Sequence, residues 1–82
     1  MTKPVELHQL ILPSGIRAQL LQLELAIKAG ESIQAINMCE QRAQGFVMGL
    51  EAAAALKTDL IETLYIGLES TAQQCRTRLR DM

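Results

Sequence analysis

The sequence predicts an all-α protein, a three- or four-helix bundle built around a long antiparallel helical hairpin and expected to dimerise. Three observations carry this. Hydrophobic residues make up 49% of the 82 residues, yet Phe46 and Tyr65 are the only aromatic ones and Trp is absent. The core must therefore be aliphatic, in a chain rich in Ala, Leu, Gln, Glu and Met, which favour helix where strands favour aromatic and β-branched residues. Apolar residues recur every three or four positions along most of the chain, the period of a helix. Beyond Pro4, the conspicuous breakers fall at residues 13–15 and at Gly30.

A single domain spanning residues 1–82 is expected, with residues 1–15 as an arm or short helix. Over residues 2–12, Leu7, Leu10 and Ile11 fit one helical face behind a Thr2 cap, and Val5, Leu7 and Ile11 allow an extended arm instead. Pro13, Ser14 and Gly15 interrupt the chain, and Ser14 can cap the next helix. That helix, A, is expected over residues 16–29. Its core stripe is Ile16, Leu20, Leu23 and Ile27, its opposite side holds Leu21, Leu25 and Ala18, and its open surface carries an i,i+4 pair of Glu24 and Lys28. Gly30 should end it in the left-handed conformation.

Helix B is expected from a Ser32 cap to about Leu56. One apolar face joins Ile36, Cys39, Ala43, Phe46, Val47, Leu50, Ala53 and Ala54, and a second joins Met38, Gly45, Gly49, Ala52 and Leu56. Together they cover roughly 220° of arc, about twice the stripe that a surface helix buries, which predicts packing on two sides. Helix C is signalled by Asp59 with Glu62 three residues on, a capping-box spacing. The alternative is one rod running through Lys57. Ile61, Leu64, Leu68, Ala72, Cys75 and Leu79 form a near-heptad seam, and Arg76, Arg78 and Arg80 complement the negative end of the helix dipole.

The formal charge of -1 is spread evenly over the two halves, so no footprint for a polyanion is evident. Residues 1–6 lack a secretory signal pattern and the longest apolar stretch stops at Glu51, so a cytoplasmic location is expected. A chain this short buries only about 60% of its unfolded surface. With two cysteines and one histidine, neither a disulfide framework nor a metal staples it, and association with another chain is the remaining source of burial.

No enzymatic chemistry and no cofactor are expected. Cys39 and Cys75 lie on apolar stripes, where free cysteine acts as a small hydrophobe. His8, Cys39 and Cys75 supply too few ligands for zinc and no orienting third group for a nucleophile. The carboxylates, Glu24 among them, are placed on solvent faces or at helix starts, and no Gly-rich phosphate loop is present.

Gly45 and Gly49 are the most informative residues. Each costs about 1 kcal/mol relative to Ala inside a helix, so a small ridge at i,i+4 spacing points to close approach of another helix, within the chain or between chains. The expected role is therefore recognition of another protein chain by helix packing, as an adaptor, chaperone or inhibitor, with a homodimer expected. The expected interface residues are Met38, Gly45, Phe46, Met48, Gly49, Ala52, Leu56, Tyr65 and Ile66. Of these, Met48 and Ile66 fall on otherwise polar sectors.

Residues 25–40 read LAIKAGESIQAINMCE and resemble the helix-turn-helix of phage-repressor-like regulators. The matching positions are Leu25 and Ala26 in the first helix, Ala29 and Gly30 at the turn, Ser32 as the cap, Ile36 as the buried anchor and Glu40 near the end. The resemblance implies a transcriptional regulator that sets Gln34, Ala35 and Asn37 against bases. Glu31 stands where that family has an apolar residue, and residues 32–41 hold no lysine or arginine for phosphates. Gly30 and the seams of B and C are also similar in plan to the export chaperones of flagellar and type III secretion systems, which implies a groove for a partner helix.

Overall fold

The computed structural model describes residues 10–82, and within them the chain is all-α. Its helices, in chain order, are α1 (Ser14–Lys28), α2 (Ile33–Ala52) and α3 (Thr58–Arg80). The expected helix or arm over residues 2–12 lies outside the described residues except for its last three. Of those, Leu10 and Leu12 pack half-buried against the core and Ile11 stands exposed.

Each helix packs against both others. Arg76 on α3 reaches Asn37 and Glu40 near the start of α2, and Tyr65 reaches Glu51 near its end. α2 and α3 are therefore antiparallel. Thr71 meets Glu24, and Arg78 meets the Lys28 carbonyl, so α1 and α3 run in the same sense. The core is aliphatic, as the composition requires. Leu20, Leu23 and Ile27 come from α1, Ile36, Ala43 and Val47 from α2, and Ile61, Leu64, Leu68, Ala72 and Cys75 from α3. Ile16 and Leu79, the outermost members of their expected stripes, are half-buried at its margin. Gly67, to which the heptad seam gives no role, is buried in α3.

Several boundaries differ from expectation, each for a local reason. α1 starts two residues early because Pro13 is its cap and the Pro13 carbonyl accepts from the Arg17 N–H at 2.9 Å. Ser14 thus lies inside the first turn and caps nothing. Ser32 does cap α2, its Oγ accepting from the Ala35 N–H at 3.0 Å, which satisfies one of the otherwise unpaired N–H groups of the first turn. Gly30 is not left-handed, since no described glycine has positive φ. It is required by crowding instead, because a Cβ there would stand 2.7 Å from Ile36 Cγ1.

α2 ends at Ala52, short of Leu56, and the rod alternative is resolved into two separate helices. The end is a Schellman motif: the Ala55 N–H donates to the Leu50 carbonyl at 2.9 Å and the Ala54 N–H to Glu51 at 3.0 Å. Ala54, at φ 52°, occupies the left-handed position that glycine usually fills. Ala53 and Ala54, expected on the core face, are exposed. α3 is capped by Lys57 with no side-chain bond. Asp59 is already in its first turn, with Oδ1 accepting from the Leu60 N–H, so Asp59 and Glu62 do not make the expected capping box.

Two polar side chains are also placed differently from expectation. Glu24, expected on a solvent face, is buried, with Oε2 accepting from the Thr71 hydroxyl at 3.2 Å and Oε1 3.9 Å from Lys28 Nζ. Arg76 does more than complement a dipole. Its guanidinium donates to Asn37 Oδ1 at 2.8 Å and to Glu40 Oε1 at 2.9 Å, while Gln73 accepts from it and Gln44 donates to the other Glu40 oxygen.

Candidate protein interface

The two apolar faces of α2 predict cover on two sides. Within the chain, α1 and α3 both sit over the side that holds Ile36, Ala43 and Val47, where their own stripes are expected to settle, and the opposite, glycine side faces outward. Along it run Met38, Gly45, Gly49 and Ala52, at the i, i+7, i+11, i+14 spacing that keeps one helical face. Met38 is 58% exposed. A Cβ added to Gly45 or Gly49 would meet nothing within 4 Å, so no helix among the described residues packs against them.

The other expected interface residues divide into two groups. Met48, 60% exposed, flanks the glycine face about 80° round the helix from Met38. Ile66, also 60% exposed, lies on α3, where it lines a shallow groove with Glu69, Ser70, Gln73, Gln74 and Thr77 along one helical face. Phe46, Leu56 and Tyr65, by contrast, are half-buried against the core, so most of their apolar surface is occupied within the chain. The structure therefore brings Met38, Gly45, Gly49 and Ala52 together, with Met48 beside them, and sets Ile66 apart.

Two features of the exposed surface lie outside the interface residues expected from the sequence. Leu25, on the outer side of α1, is 63% exposed, and its position opposite the core stripe is the signal for it. Arg42 is exposed at the rim of the glycine face. Both acidic residues of α2 turn elsewhere, Glu40 to Arg76 and Glu51 to Tyr65. The outward face thus carries one cation and no carboxylate among the described residues.

Other candidate chemistry is thin. Cys75 is buried, Cys39 is half-buried, and both are free thiols. Among the described residues no group of three His, Cys, Asp or Glu side chains could hold a metal ion, and His8 lies outside those residues. Gln34 and Asn37, the base-contacting pair implied by the helix-turn-helix resemblance, are exposed, and the Asn37 amide oxygen is already held by Arg76. No described helix is long and apolar enough to cross a membrane.

The ionisation of Tyr65 is displaced. Partial burial, then the negative charge of Glu51, then the hydrogen bond its hydroxyl donates to Glu51 Oε1 at 3.3 Å raise its pKa above the ordinary value. A raised folded-state pKa means that the stabilising contribution is present below the unfolded value and is lost as pH climbs through the folded one. Because Tyr65 is the sole tyrosine and Trp is absent, phenolate absorbance reports it directly. Glu51→Gln is expected to bring the titration back toward the ordinary tyrosine range, and an unchanged midpoint would show that Glu51 has no part in the shift.

Compared with protein-family models, curated proteins and solved structures, the chain matches none.

Proposed function

We propose that the chain is a helical interaction module, an adaptor, chaperone or inhibitor rather than an enzyme, which binds another protein chain by taking a helix onto the outer face of α2. A second copy of itself is included among the partners that fit. The observation that carries this reading is the open space around Gly45 and Gly49. Two helix-interior glycines weaken α2, and no neighbour among the described residues needs them small. A ridge without Cβ atoms lets a second backbone come close and gain dispersion contacts along its length, and Met38 and Met48 supply adaptable apolar contact at its edges. The free state of Cys39 and Cys75 is in keeping with a reducing cytoplasm.

Replacement of both glycines by alanine separates stability from binding. The isolated domain should gain about 1–2 kcal/mol from Gly45→Ala with Gly49→Ala, seen as a higher urea midpoint at constant slope. The larger pair Gly45→Leu and Gly49→Leu should abolish capture of the partner, or self-association measured by light scattering, while Ile66→Ser on the separate α3 surface leaves it intact. A monomer that captures nothing, or binding indifferent to the leucine pair, would refute the role of this face.

A further inference from the structure

We propose that residues 53–57 form a hinge through which the chain exchanges α3 with a second copy, giving a domain-swapped dimer in which α2 and α3 run on as one helix. The junction is a reversal that its own sequence does not encode. Residues 52–55 are four consecutive alanines, the strongest helix formers, and neither Gly nor Pro occurs between Gly49 and Gly67. Ala54 is nevertheless held at φ 52°, the one positive-φ residue among the described non-glycine residues. A left-handed alanine is disfavoured because its Cβ crowds the following carbonyl oxygen. Nor does a cap fix the start of α3, where Lys57 supplies no side-chain bond.

Little else ties the junction down. Ala53, Ala54, Ala55 and Lys57 are exposed, and only Leu56 reaches the core. The α1–α2 turn is built quite differently, with a bonded Ser32 cap and Gly30 wedged against buried Ile36. What folds the hairpin is burial of the α3 seam, Ile61, Leu64, Leu68, Ala72 and Cys75, against the other two helices. A swapped α3 finds the same surroundings on its partner, so those contacts are conserved, while the strained Ala54 of each chain relaxes into right-handed helix. The continuous helix over residues 33–80 would be about 70 Å long at ~1.5 Å per residue. The alanines let two such helices pass closely at the dyad. The exchange leaves the outer face of α2 free, so a dimer that persists in the Gly45→Leu, Gly49→Leu pair but is lost in Ala54→Gly comes from the exchange and not from that face, and the two proposals are told apart by these variants.

The test uses the full chain, refolded at high concentration, with molar mass measured by light scattering. Spin labels on Gln41→Cys and Gln73→Cys, with Cys39→Ala and Cys75→Ala, are placed on one chain and diluted into unlabelled protein. In the swapped dimer they lie about 48 Å apart along one helix, whereas in the hairpin they sit on neighbouring helices whose axes are about 10 Å apart. A dimer with the long intrachain distance is expected. Ala54→Gly, which suits the hairpin, should weaken dimerisation about 100-fold, roughly tenfold for each of two hinges, and Ala54→Val should strengthen it. Mass and the Ala54 series are read without labels, so they decide even if the cysteine replacements disturb folding. A chain that stays monomeric, a dimer that keeps the short distance, or one indifferent to Ala54→Gly would overturn the proposal.

Discussion

Replacing Arg76 with alanine is expected to destabilise the fold by about 1.5–3 kcal/mol, the range for hydrogen bonds to charged groups. The guanidinium ties α3 to α2 through Asn37 at 2.8 Å and Glu40 at 2.9 Å, with the Arg76 and Glu40 side chains only 20% and 13% exposed. Taking the cation away leaves the Glu40 carboxylate screened from water with only the Gln44 amide beside it, and a poorly solvated charge without its partner is costly. Glu40→Gln in the Arg76→Ala background should therefore recover part of the loss, because it removes the stranded charge. Urea midpoints for the two single variants and the double variant give the coupling. Strictly additive losses would show that the pair is not a pair. Lys28→Ala is the contrasting control: Lys28 is half exposed and 3.9 Å from Glu24, the type of contact that contributes well under 1 kcal/mol.

Stability of this kind matters for a domain of 82 residues, whose expected total is roughly 4–12 kcal/mol. Where that stability sits is readable from the sequence only in part. The stripes of α1 and α3 are evident because local period alone decides them: Leu20, Leu23 and Ile27, and Ile61, Leu64, Leu68, Ala72 and Cys75, are the hydrophobic residues these two helices bury in the core. Ser32 is evident as a cap because capping is a contact over three residues. The end of α2 is not, since the alanine run at residues 52–55 codes for continued helix and only tertiary burial of α3 turns the chain back.

The outer face of α2 shows the same division between local and distant causes. Its composition is visible in the spacing of Met38, Gly45, Gly49 and Ala52, but which neighbour would cover it depends on where α1 and α3 settle. Both settle on the other side, where their own stripes lead, and the glycine face stays open. Glu24 is buried because α3 brings Thr71 beside it, 47 residues away in the chain, a contact beyond the reach of any helical wheel. Phe46 and Tyr65 stand out as aromatic anchors on type alone, and the same size that makes an aromatic side chain a good anchor also fills the margin of an aliphatic core.

Gly30→Ala should lower stability by about 1–3 kcal/mol, the penalty for forcing a methyl into a packed site. The added Cβ would stand 2.7 Å from Ile36 Cγ1 and 3.3 Å from both the Ile27 carbonyl oxygen and the Ile36 N–H nitrogen. None of the three can give way easily. Ile27 and Ile36 are fully buried, and Cγ1 is a branch atom near the backbone, not the tip of a flexible chain. Restricting the unfolded chain works in the opposite direction by about 0.4–1 kcal/mol, so a net loss near the middle of the range is expected. Had Gly30 been kept for a left-handed turn, the strain would lie in its own backbone and no neighbour could relieve it. Because its φ is not positive, the clash with Ile36 is the cause, and trimming Ile36 must relieve it. Ile36→Ala alone removes a core side chain and should lose about 2–5 kcal/mol, but in the Gly30→Ala background the loss should be smaller by most of the Gly30 penalty. Thermal or urea unfolding of the four proteins closes the cycle. Equal losses from Ile36→Ala in both backgrounds would mean that the α1–α2 turn does not depend on this contact.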